Sequence, residues 1–219
     1  MEMQKERKFS IASRSIRRKP TFWEKVKRLI FFPFSFYKRK KKTLYRIAAF
    51  NATLHLIETK AYLSSQMFIS LHVNPALLDS FKKFHSVDYS MYTGNEVFSF
   101  LKLHLLKYLG GLPRKSFLKS MLCPSYRKEE IPKILNKLYE DCDIYEIRVI
   151  QSLLCLMVWA HKSSSANNMN ELYLMNTFIP LFFGQRRIKN LKKKSQKDYH
   201  LLVGRWSDVL KYLPKGTMQ

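Results

Sequence analysis

Apolar positions recur at intervals of three and four residues along most of the chain, the spacing that gives an α-helix one buried face. In TLYRIAAFNATLHLIETK, residues 43–60, Leu44, Ile47, Ala48, Leu54 and Ile57 fall broadly on one side. NPALLDSFKKF (74–84) predicts a helix with Asn74 as N-cap and Pro75 at the first helical position, where a missing N–H costs nothing. GNEVFSFLKLHLLKYLGGLP (94–113) predicts the strongest helix, ended by Gly110, Gly111 and Pro113. Further helices are expected over 128–140, 145–162, 167–183 (interrupted near Pro180) and 198–213. No alternating strand pattern and no internal repeat competes, so residues 43–213 read as an all-α domain of roughly seven helices.

Upstream the pattern changes. Residues 1–20 are basic and serine-rich without apolar periodicity, which predicts disorder. With Thr21 as N-cap, Phe22, Val26, Leu29 and Ile30 make a short amphipathic, cationic helix that Pro33 is expected to stop. Phe31, Phe32, Phe34 and Phe36 then run into Lys38, Arg39, Lys40, Lys41 and Lys42. The organisation expected is a basic, partly disordered segment over 1–42, a helical domain over 43–213 containing a basic loop at 186–197, and a tail over 214–219.

Charge sharpens this division. Of the net +24, residues 1–46 carry +13 and residues 186–197 carry +7, while 47–185 are nearly balanced. Basic attachments flanked by phenylalanines suit an anionic membrane surface, where each Lys or Arg contributes about 1 kcal/mol and aromatic rings sit at headgroup level. Nucleic acid is served by the same charge and comes second. Cys123, Cys142 and Cys155 lack CxxC spacing and read as buried thiols of a reducing compartment. The six histidines are scattered, so neither a metal nor another cofactor is expected. VIQSLLCLMVWA, Val149 to Ala160, falls short of the ~20 apolar residues that span a bilayer and fits a buried helix. The chain thus reads as cytoplasmic with a peripheral membrane contact. The hydrolase, zinc-protease and nucleotide-binding patterns GxSxG, HExxH and GxxxxGK[ST] are absent.

Three local patterns carry a family resemblance. LHLIETKAYLSSQMFISLHVNPALLDSF (54–81) is similar to I-E-x-x-G-L-x-x-E-G-I-F-R-x-S-G followed by a helix. VFSFLKLHLLKYLGGLP (97–113) is similar to an apolar helix ending in Y-L-R-x-L-P. HKSSSANNMNELYLMNTFIPLFF (161–183) is similar to N-K-M-x-x-x-x-L-A-x-x-F-x-P-x-L, with Asn167, Met169, Leu174, Phe178 and Pro180 at matching letters. In this order and at these separations, they resemble the RhoGAP family of helical domains, which accelerate GTP hydrolysis by Rho-type small GTPases.

The resemblance implies a RhoGAP-like bundle whose partner is a Rho-family GTPase, a signalling regulator and not itself an enzyme. The family's arginine, supplied in trans to the transferring phosphoryl group, is worth on the order of 10³–10⁵ in rate. Here Met67 and Phe68 match the I and F before it, and Ile69 stands at the arginine. Isoleucine has neither charge nor donor, which implies weak or absent activation. The lysine and arginine of the family's long helix are replaced by Leu106 and Gly110, with Lys107 one residue out of register. Arg114, just past Leu112 and Pro113, is positioned as a substitute. Asn167 reads two ways, as the family's GTPase-facing amide or as helix cap or loop polarity before the next helix.

Overall fold

The computed structural model describes residues 22–68, 73–112, 115–140 and 142–213, with backbone alone over 22–39. Among the described residues the fold is all-helical, with ten α-helices and no strand. The chain divides into two compact units, Met1–Arg39 and Lys40–Gln219. In the first, the described part is the opening stretch of α1 (Phe22–Glu58). The disorder predicted for 1–20, the Thr21 cap and the tail 214–219 lie outside the described residues.

α1 corrects one expectation. Pro33 does not stop a helix, because α1 continues through it to Glu58. A proline removes one intrahelical hydrogen bond and crowds the carbonyl four residues back, at about 3 kcal/mol, yet leaves the donors of later turns intact.

In the second unit, α2 (Pro75–Phe84) is capped by Asn74, whose side chain accepts from the Ala76 N–H. α3 (Gly94–Leu103) starts with a reciprocal capping box between Thr93 and Glu96 and passes into a π-helical turn, His104–Leu109. α4 (Lys115–Met121) and α5 (Ile131–Tyr139) lead to α6 (Ile144–Lys162), which opens on a second capping box, Asp143 with Glu146. Arg46 of α1 bonds both carboxylates of that box, so the charge that caps α6 also ties it to α1. α7 (Ser164–Asn167), α8 (Glu171–Phe183), α9 (Gln185–Lys194) and α10 (Gln196–Tyr212) follow. α8 runs on through Pro180 without the expected interruption.

The predicted basic loop at 186–197 is instead α9 and the first turn of α10. Ile188 and Leu191, three residues apart, pack on the core and give the cationic run a helical face to bury.

The core lies around α6, α8 and α10, where Phe117, Phe182 and Phe183 surround the fully buried Trp206. By length and composition α6 is the one described helix able to cross a membrane, and 56% of its most apolar window is buried inside the bundle.

Burial also sets an acid sensitivity. His104 is fully buried among Tyr45, Phe81, Phe100 and Tyr108, and its Nδ1–H donates to the Phe100 carbonyl at 2.9 Å. Its Nε2 has no partner, and burial pushes its pKa down to about 4. An unfolded histidine titrates near 6.5, so the unfolded chain takes up this proton first as pH falls. His104 therefore costs no stability above about pH 6.5 and about 3 kcal/mol once pH reaches about 4. The urea midpoint is expected to fall between pH 6.5 and 4.5 and to become flat there in His104→Phe. An unchanged slope in the variant would assign the loss to other groups. The carboxylates of Glu96 and Glu171, held below their usual values by hydrogen bonds from Asn74 and Ser207, titrate beneath that window.

Candidate functional site

The segment between α1 and α2 is anchored at both ends. A left-handed residue, Lys60 (φ 52°), turns the chain into two short 3-10 turns, Ala61–Leu63 and Ser65–Phe68. Met67 and Phe68 are buried, the Phe68 ring packing against Phe98 of α3 at 5.1 Å and Phe178 of α8 at 6.0 Å. On the far side, the Asn74 amide donates to Glu96 at 2.6 Å. The described chain thus enters this stretch from the core and leaves it pinned to the start of α3. Ile69 itself, with residues 70–72, lies outside the described residues, as do Pro113 and Arg114.

Asn167 occupies the centre of the arrangement and is completely buried. Its Nδ2 donates to the Tyr62 carbonyl at 3.0 Å and to the Ala160 carbonyl at 2.8 Å, and its Oδ1 accepts from the Met169 N–H at 2.9 Å. The amide therefore joins the 61–63 turn, the end of α6 and the lead into α8. The readings of Asn167 as a partner contact and as the N-cap of α8 need correction, whereas its role in loop polarity holds, since its Oδ1 satisfies the Met169 N–H. It is not presented to a partner, because its donors and acceptor are used internally, and the N-cap of α8 is Asn170, which accepts from the Tyr173 N–H.

A second junction joins the end of the π turn to the end of α8. The Leu112 N–H donates to the Phe182 carbonyl at 2.7 Å, and Gly111 and Gly184 face each other with φ of 96° and 84°. A side chain on either glycine would collide with the backbone of the other segment. The π turn also alters register, because a turn closed i→i+5 takes one residue more than an α turn, so side chains beyond it fall back by about one position. Lys107, exposed on this turn, is carried towards the face that a regular α-helix would give to Leu106.

The surface beside these junctions is apolar in part. Tyr62 stacks on Trp159 at 6.0 Å, the Lys162 ammonium lies 5.1 Å from the Trp159 ring, and neighbouring Leu63 is 42% exposed. Trp159, expected in the core with the rest of its helix, is itself 41% exposed. Arg46 meets Asp143 and Glu146, and sixteen residues further along each segment Tyr62 meets Trp159, so the chain on either side of Glu58 touches both ends of α6.

Of the cationic cluster, Lys40, Lys41 and Lys42 are all exposed. For Phe31, Phe32, Phe34, Phe36, Lys38 and Arg39 the backbone is helical and the side chains lie outside the description. Only Cys155 of the three cysteines is buried. Among the described residues, no three His, Cys, Asp or Glu side chains group as metal ligands.

Neither a protein-family model nor a curated protein sequence matches the chain.

Sequence reasoning missed Trp159 and Leu63 as surface groups. Apolar periodicity assigns such residues to the core, and the only available signal was that Trp159 lies close to the charged end of α6. It missed the π turn as well, since nothing in the apolar spacing of 94–109 marks the extra residue that the turn takes.

Proposed function

We propose that the chain is a diverged RhoGAP-like module that binds a Rho-family GTPase without supplying a catalytic arginine. The observation that carries this reading is the meeting of the three family-like segments. The Asn167 amide holds the 61–63 turn against the 163–170 segment, and the Leu112 N–H bonds the end of α8. Sequence order alone does not require those contacts, and a GTPase-facing surface built from the three segments does. Leu63, Trp159 and Lys107 are exposed on the segments that make these junctions, suited to an apolar and cationic contact. With Ile69 at the arginine position, the domain offers no charge there to the transferring phosphoryl group. The aromatic and basic stretch from Phe31 to Lys42 would keep the module at an anionic membrane.

Single-turnover GTP hydrolysis with a panel of Rho-family GTPases is the test, run alongside binding to the GTP-loaded forms. Binding with less than about tenfold stimulation is expected, against the ~10³-fold or greater effect of a complete finger. Stimulation of ~10³-fold would refute the loss of the arginine function. Failure of every GTPase to bind would refute the partner.

A further inference from the structure

α9 presents a strongly charged surface that the GTPase reading does not use. Its ten residues contain Arg186, Arg187, Lys189, Lys192, Lys193 and Lys194 and no acidic residue. Ile188 is buried and Leu191 packs on the core, which fixes the rotation of the helix. At about 100° per residue, Arg186, Lys189 and Lys193 fall within roughly 60° of one another and opposite that buried pair. All three are exposed, and they span about 10 Å along the helix. Lys194 and Lys197 continue the charge across the Ser195 cap into α10, where Leu201, one turn beyond Lys197, is 38% exposed. Lys192 is otherwise engaged, its ammonium 4.0 Å from the Tyr199 ring.

We propose that this face of α9 docks on an anionic lipid leaflet. The cations stand on a convex helix in a straight row, a shape that meets a plane. α9 itself carries no aromatic side chain on which bases could stack, the feature that gives single-stranded nucleic-acid binders much of their affinity. Lysine dominates the row, and a compact ammonium serves a surface potential as well as a guanidinium fork does. The apolar residues of α9 are committed to the core, so the contact is electrostatic. This surface is independent of the GTPase reading.

The test is co-sedimentation of the full chain with vesicles of phosphatidylcholine alone or with about 30% phosphatidylserine. To isolate α9, the parent carries Gln at Lys38, Arg39, Lys40, Lys41 and Lys42. That parent is expected to bind the anionic vesicles only, and to be released by raised salt. Adding Arg186→Gln, Lys189→Gln and Lys193→Gln is expected to lower partitioning roughly a hundredfold, while Lys189→Arg with Lys193→Arg retains it. The proposal is overturned if the parent does not partition, if the triple variant partitions as the parent does, or if the same three residues bind an oligonucleotide at lower concentration than lipid. GTPase binding measured without vesicles is unchanged in the triple variant, so the two readings fail separately.

Discussion

Asn167→Ala is expected to lower the unfolding free energy by about 3–5 kcal/mol. The substitution strips partners from three groups: the carbonyls of Tyr62 and Ala160 and the N–H of Met169. A buried polar group left unsatisfied costs about 1–3 kcal/mol, and these are held in one tightly packed junction that water enters poorly. Asn167→Asp separates the two halves of the role, since a carboxylate still accepts from Met169 while losing the donors to Tyr62 and Ala160. It too is expected to be destabilised, with the further penalty of a buried charge. Urea denaturation of the two variants and the parent makes the measurement. An asparagine that served only as a GTPase contact would leave the midpoint unchanged and lower binding alone, and that result would overturn the internal role.

The same residue shows where sequence reasoning reaches and where it stops. Most of the longer helices were readable, because Leu44 and Ile57 in α1, or Asn74 with Pro75 ahead of α2, state their local geometry in spacing and capping chemistry. Burial of a polar side chain is not stated that way. Asn167 has a cap-like sequence, and only the return of the 61–63 turn, more than a hundred residues earlier in the chain, supplies the carbonyl that draws it inside. α9 went unrecognised for the opposite reason. Its charge argued for a solvated loop, and two apolar residues three apart were enough to bury one face. The three segments that carry the resemblance stand out in the sequence, while Ile69 and Arg114, the positions on which it turns, fall outside the described residues.

Gly184→Ala is expected to be at least as damaging, at about 4 kcal/mol or more, and Gly204→Ala to have the opposite sign. Gly184 holds φ at 84° and ψ at 133°, a conformation that side chains of L-residues rarely adopt. A Cβ there would also stand 2.3 Å from the Gly110 carbonyl oxygen and 2.9 Å from its carbon. Those atoms are backbone, and they cannot move without pulling Leu112 from the Phe182 carbonyl that it bonds at 2.7 Å. The conformational strain and the collision therefore add, and relief of either breaks the junction between the π turn and α8. Gly204 sits inside α10 without an unusual φ, and a Cβ on it meets nothing within 4 Å. There alanine only restricts the unfolded chain and favours the helix, for a gain of about 0.5–1 kcal/mol. Thermal or urea unfolding of both variants compares one chemical change at two glycines. Equal effects would mean that the Gly111–Gly184 approach is looser than described, and that the segments resembling RhoGAP motifs are not held together at this point.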